Sequence, residues 1–380
     1  MTGRDLDPAL RELRDTCRQI ARDLRSRALA VDADPDDVSR HLDAPSLTLL
    51  RTASTPKRFR QEDLPLRFAE YTDSCLARAL ANVELARGDA GILSANTGPS
   101  LAGLAVDALG DEAQRELFYR ALADGRTWTF FAMTEPDRGS DATALTSRFE
   151  PDPGGGHRLT GTKRYVANAA RGSIGVVFAR TGPTALSIRA ALVQCPVPGF
   201  SGHALDMIGL RGARFGEMRF DGVRVPEEML LGRHLPTSQR GIWGAGRAFN
   251  VMRVQIAAQA LGLAFAISDY VLEHRPRSPG AELISARLAA ARELLYDVAV
   301  AVDRAPGDPR PPSIVKLHTT ALAVELTRWA ERALGAGSLL EHPLLEKWCR
   351  DVCAFEFMDG TGNILRLHIA PDTAPVREER

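Results

Sequence analysis

Near the end of the chain, Arg350 and Asp351 lead through an apolar run into Met358-Asp359-Gly360-Thr361-Gly362-Asn363 and on to Ile364, Leu365 and Arg366. A carboxylate set beside a glycine, between an apolar run and a helix-like segment, is well placed to be a base. Apolar neighbours such as Phe355, Phe357 and Met358 would lift its pKa toward that task. Far upstream, Phe131-Ala132-Met133-Thr134-Glu135-Pro136-Asp137-Arg138-Gly139-Ser140-Asp141 reads as a strand ending in a polar turn. Free amides and hydroxyls at such a turn can hold a ligand's phosphates, although the segment alone also reads as a well-formed turn.

Four further segments add to these. Tyr165, inside Gly161-Thr162-Lys163-Arg164-Tyr165-Val166-Ala167-Asn168-Ala169, could stack on a flat ring or simply face the sheet. Gly209-Leu210-Arg211-Gly212 and Phe220-Asp221-Gly222-Val223-Arg224-Val225-Pro226 describe strands and turns, and so tell fold rather than function. Arg253 follows Phe249 on an apolar helix whose Ala257, Ala258 and Gly262 permit close packing, and such an arginine is either a paired charge or part of a site.

The elements that must position these residues fall into three blocks. Residues 1–125 carry apolar positions at helical spacing, as in Leu10, Leu13, Cys17, Ile20 and Leu24. Residues 126–235 break into short β-rich runs, with a loop signal at Asp152-Pro153-Gly154-Gly155-Gly156, and predict an antiparallel β domain. Residues 236–380 return to long periodic segments, Ala248 to His274, Leu283 to Asp303, Ser313 to Leu334 and Pro343 to Phe357. The expected class is α+β: an N-terminal helical domain, a middle antiparallel β domain and a C-terminal helical bundle, with the site where they meet.

With 48 basic and 48 acidic residues, the chain has no charge excess to draw nucleic acid or an anionic membrane. Five scattered cysteines lack a zinc-site spacing and fit a reduced cytoplasm; Cys349 and Cys353, four apart, read as core packing on one helix face. Met1-Thr2-Gly3-Arg4-Asp5 has no apolar stretch of a signal peptide, and nowhere do eighteen apolar residues run together. The expected partner is a small molecule.

Taken together, from about Leu85 to Ala370, the order and spacing of these segments resemble the acyl-CoA dehydrogenase family of flavoproteins. The resemblance rests on the TEPxxGSD turn at 134–141, the GxK-aromatic element at 161–165, the FDGVRVP strand, the long helix after Gly241, the HPLLEKWCRD segment at 342–351 and the DGT element at 359–361. It implies FAD between the β domain and the C-terminal helices. It also implies a carboxylate that removes the α-proton of an acyl thioester while the β-hydrogen leaves as hydride.

Residue by residue, it gives Asp359 the role of that base, one carbon bond (about 1.5 Å) shorter than the family's usual glutamate, with Arg253 orienting it. It assigns Met133, Thr134, Gly139 and Ser140 to the flavin and its pyrophosphate, Tyr165 to the place of a usual tryptophan, and Thr361 and Asn363 to the cofactor as well. Ala167 stands where a hydroxyl commonly meets the flavin. Arg275 and Gly335 belong to elements that usually reach a neighbouring subunit's FAD, implying a homodimer or homotetramer. Met252 denies the long helix a second carboxylate, and Asn250 replaces an acid frequent beside the carrier, so an acyl carrier protein could stand in for coenzyme A. Two other readings keep the scaffold: a flavin oxidase or monooxygenase resembling nitroalkane oxidases or N-hydroxylating enzymes, and a member that has lost or redirected its chemistry.

Overall fold

The computed structural model describes residues 6–61, 64–65, 68, 71 and 73–370. Asp7 opens the first helix, its carboxylate accepting the Leu10 amide at 2.8 Å. From there α1 (Pro8–Ala33) buries one stripe, Leu10, Leu13, Cys17 and Leu24. It is followed by α2 (Pro45–Ser54), α3 (Cys75–Ala86), α4 (Ala90–Ser94), α5 (Ser100–Leu109) and α6 (Glu112–Ala121).

The middle of the chain forms one sheet from β1 (Thr129–Ala132), β2 (Arg148–Pro151), β3 (His157–Val166), β4 (Ile174–Arg180), β5 (Ile188–Gln194), β6 (Phe200–Ala204) and β7 (Gly216–Val225). Their order is β1-β4-β2-β3-β7-β6, with β5 also on β4. The expected antiparallel pairing holds for β2 with β3, β3 with β7, β4 with β5 and β6 with β7. The exceptions lie on β4, which takes β1 in parallel and touches β2 in parallel at Arg180. Burial explains this, because every residue from Ile174 to Ala179 is buried, so β4 is a central strand paired along both edges. Two strands, β2 and β6, were not among the expected runs; each shows too little apolar alternation to announce itself.

Helices return as α7 (Gly241–Gly244), α8 (Gly246–His274), α9 (Ala281–Arg304), α10 (Arg310–Leu334), α11 (Ser338–Glu341), α12 (Pro343–Ala354) and α13 (Gly362–Ile369). Length and composition alone would let α8 cross a membrane, but most of its residues are buried against other helices. It packs on α3 so closely that a Cβ at Gly262 would lie 2.3 Å from the Val83 carbonyl oxygen. Leu13, Cys17 and Leu24 of α1 share one core with Leu261 of α8 and Trp348 of α12, so the first and last helical blocks are packed as one layer.

A buried ionic cluster joins that layer to the sheet. Lys347 Nζ lies 2.6 Å from both Asp89 and Asp351. Trp348 Nε1 donates to Asp89 at 3.1 Å, and the Leu210 amide, on the loop before β7, donates to Asp351 at 2.6 Å. Gly209 permits this docking, since a Cβ there would meet the Arg350 carbonyl oxygen at 2.4 Å. Cys349 and Cys353 share a helix face, the Cys353 thiol donating to the Cys349 carbonyl, but the expected core packing does not hold: Cys349 is half-buried and Cys353 exposed, because that face points to solvent.

Candidate active site

After α12 ends, the chain must reverse before α13, and it does so through left-handed backbone at Asp359 (φ 50°) and Gly360 (φ 109°). Outside glycine such φ values are uncommon, and aspartate is among the residues that tolerate them; they persist where surroundings enforce them. The enforcement is visible. Arg253 Nε of α8 donates to the Asp359 carbonyl at 3.1 Å, while Lys316 Nζ of α10 donates to the carbonyls of Glu356 at 3.2 Å and Gly360 at 2.5 Å. Arg253 is itself held by Asn250 Oδ1 at 3.0 Å, and Asn250 Nδ2 donates to Pro306 O at 2.8 Å.

Both nearby cations are therefore spent on backbone oxygens and, for Arg253, also on the Asn250 side chain. Among the described residues the Asp359 carboxyl makes no hydrogen bond of its own. It is closely surrounded by protein yet keeps some accessible surface. Burial pushes its pKa up, and the charges of Lys316 and Arg253 oppose but do not cancel that push.

The second constellation is built around Glu135, which is buried and receives five donors. Oε1 accepts from Ser147 N at 2.8 Å, Ser147 Oγ at 2.6 Å and Lys163 Nζ at 2.9 Å. Oε2 accepts from Thr146 N at 2.6 Å and Thr146 Oγ1 at 2.7 Å. Burial alone would raise this carboxyl, but Lys163 and those donors overcome it and hold its pKa at about 2. Lys163 also donates to Met133 O at 3.0 Å, and Arg164 N to Thr134 O at 2.9 Å, so the end of β1 is locked to β3. What remains free is on the outer side: the Thr134 hydroxyl is unbonded among the described residues, and Gly139 and Ser140 are exposed. A cleft of about 400 Å³ lined by Glu135, Arg138, Thr162 and Glu217 opens beside this turn.

Tyr165 is 55% exposed at a left-handed irregularity within β3, with Arg164 5.6 Å from its ring centroid. Ala167 packs against the helical core that also takes Met358. The start of α8 touches an element of each constellation: Phe249 stands 5.9 Å from Phe131 of β1, and Arg253, one turn on, bonds the Asp359 loop. Met133 joins the same apolar cluster.

Other residues are placed differently. Thr361 uses its hydroxyl to cap α13, accepting from Ile364 N at 3.5 Å, and exposed Asn363 pairs with Arg366 of its own helix. Arg275 and Gly335 lie exposed at the far ends of α8 and α10, which Trp329 ties together through the Pro279 carbonyl at 2.9 Å. From Arg253 to Arg275 the helix alone spans about 33 Å, too far to share a ligand within one chain. Asn250 is buried and both ends of its amide are used internally, so its role here is to mount Arg253. Of the aromatic residues expected around the base, Phe355 is fully buried but Phe357 is 71% exposed. Lys316 was not among the expected site residues; its one sequence signal is its status as one of four lysines in an arginine-rich chain.

The flavin implied by the sequence fits what is present. Among the described residues, Thr134 and Ser140 offer unbonded hydroxyls on a turn whose shape is fixed from behind, Tyr165 offers an uncovered aromatic face, and Asp359 stands beside α8 with a carboxyl that makes no hydrogen bond.

Comparison with known proteins agrees. Residues 130–223 match the acyl-CoA dehydrogenase middle domain, and residues 239–373 match the C-terminal domain. The human mitochondrial short-chain specific acyl-CoA dehydrogenase is 30% identical over 321 residues, covering 78% of this chain and 75% of that one. A glutaryl-CoA dehydrogenase from Mycobacterium smegmatis, solved in complex with FADH2, superposes with TM-score 0.81 at 22% identity, covering 97% of this chain and 95% of that one. The prolyl acyl carrier protein oxidase AnaB gives TM-score 0.80 at 22% identity, covering 96% of this chain and 98% of that one. The chain belongs to the acyl-CoA dehydrogenase family.

Proposed function

We propose that this oxidoreductase removes two hydrogens from the α and β carbons of an acyl thioester, carried by coenzyme A or an acyl carrier protein, with Asp359 as general base. The observation that carries the reading is the carboxyl of Asp359, which makes no hydrogen bond among the described residues and is flanked by two cations that are bonded to backbone oxygens instead. A carboxylate neutralised by a salt bridge makes a poor base; one held by its backbone, with its oxygens free, can take a proton.

FAD, when bound, supplies the acceptor for the departing hydride. The residues of this chain do the rest. Thr134, Gly139 and Ser140 hold the cofactor on a turn braced by Glu135 and Lys163, with Met133 behind it and Tyr165 against the ring. Arg253, mounted on Asn250, fixes the carbonyl of the residue that takes the proton. Phe355, buried below the loop, helps keep water from the carboxyl. The exposed ends bearing Arg275 and Gly335 serve a neighbouring copy of the chain in a homodimer or homotetramer.

The test is anaerobic: the yellow protein is mixed with butyryl-, isovaleryl- and glutaryl-CoA and with a prolyl carrier-protein thioester, and flavin absorbance is followed. Bleaching by one of them supports the reading; oxidised flavin in all of them counts against it. Ala167, which offers no hydroxyl, points to a member that has lost or redirected its chemistry, and a further reading on the same scaffold is a flavin oxidase or monooxygenase. Oxygen consumption with substrate and no added electron acceptor would select that one.

A further inference from the structure

The loop that carries Asp359 is gripped from beneath by an amine that the sequence motif around it does not contain. Lys316 is 0% exposed, and its Nζ bonds carbonyl oxygens on both sides of Asp359, those of Glu356 and Gly360. Arg253, from a different helix, takes the carbonyl of Asp359 itself. Thus three carbonyls within five residues turn inward onto two cations, and the side chain of Asp359 is turned away from both as a hydrogen-bonding group.

Burying an ammonium group with only backbone partners is unfavourable. Burial pushes Lys316 down to about 8, even though Asp359 and Glu356 pull it up. A neutral donor would satisfy the same carbonyls with less desolvation, so the charge calls for a second role. The charged groups facing this spot are Arg253 from α8, Lys316 from α10, Glu356 on the loop and His368 of α13, which faces Arg253. Asp359 thus has two cations beside it.

Resting on the reading of Asp359 as the base, we propose that Lys316 is its positioning residue: it fixes the loop backbone so that a short carboxylate reaches the substrate, and its charge keeps that carboxylate ionised. Reach matters more for aspartate than for glutamate, because a side chain with one rotatable bond fewer cannot make up a backbone shift. A displacement near 1 Å can lower a rate by about a hundredfold.

The experiment compares K316M, K316R and wild type as FAD-loaded full-length protein. Anaerobic flavin reduction is followed across pH with the thioester of the set above that bleaches wild type fastest, and hydrogen exchange is followed in the peptide spanning residues 355–361. K316M is expected to keep its FAD, to exchange faster in that peptide, to reduce its flavin about a hundredfold more slowly, and to shift the acid limb of its rate profile to higher pH. K316R, which retains charge and donors, restores part of the rate and the position of the limb. A merely structural lysine would lower the rate equally at every pH and leave the limb in place; that result, or wild-type rate and exchange in K316M, overturns the proposal. Should K316M fail to fold, K316Q, which keeps one donor without the charge, is judged by the same limb and exchange. D359N separates the two readings: full flavin reduction in D359N removes the base itself, whereas its loss alongside a normal K316M removes only Lys316.

Discussion

Arg253 Nε lies 3.1 Å from the carbonyl oxygen of Asp359, and no hydrogen bond joins its guanidinium to the carboxylate one side chain away. The arginine therefore orients the base through its backbone without neutralising it. Replacing the carboxylate should stop proton removal and leave the fold intact. D359N is expected to reduce its flavin about 10²–10⁴-fold more slowly than wild type while purifying with the same FAD content, measured as the ratio of flavin to protein absorbance.

The same carboxyl makes a prediction for stability. Its folded pKa is raised above 3.8, mainly by burial, so the folded state binds this proton more tightly than the unfolded chain does. Stability then falls as pH rises from 3.8 through the folded value, because an ionised carboxylate must stay buried. At neutral pH, D359N should consequently melt at a higher temperature than wild type, and below pH 3.8 the two should converge. The rate of flavin reduction should have an acid limb above the ordinary aspartate range. A melting temperature lowered by D359N at pH 7 would contradict this sign.

Glu135 has the opposite sign. Its pKa, held at about 2 against 4.5 unperturbed, gives stability that is fully present above 4.5 and lost as pH falls toward 2. E135Q keeps the shape but leaves Lys163 as a buried cation without its counter-charge. Breaking one side of such a pair costs about 3–5 kcal/mol. The variant is expected to unfold at lower denaturant and to purify depleted in FAD, because the Met133–Thr134 strand end loses its brace.

Much of this was legible in the sequence where a local pattern carried it. Helical spacing announced α8, α9 and α10 within a few residues, and the turn chemistry of 134–141 marked the strand end. The legible part stops where partners are distant in the chain. Lys316 meets Gly360 across 44 residues and Lys347 meets Asp89 across 258, contacts that no window of periodicity reports. Phe357 shows the converse: an aromatic beside the base looked like pocket lining, but the left-handed turn at Asp359 follows it and leaves the ring 71% exposed. The strands β2 and β6 escape because both are short and lie mostly at the surface, Phe149 being the one buried residue of the two.

The seam between sheet and helices gives the last prediction. Lys347 is buried with Asp89 and Asp351, and although burial disfavours its charge, the two carboxylates outweigh that and keep it protonated. K347M would leave two carboxylates facing each other in the interior, each still bonded to a backbone amide, Asp89 to Ile92 and Asp351 to Leu210. Removing the shared cation should cost about 3–5 kcal/mol, read from urea unfolding. The loss should not stay local, because Asp351 is what the Leu210 loop leans on, and that loop continues through Ala213, whose carbonyl accepts the Asn168 amide at 3.0 Å just beyond Ala167. FAD retention should therefore drop with stability in K347M, whereas a variant weakened by a similar amount at Gly262, between α3 and α8, should keep its flavin until it unfolds.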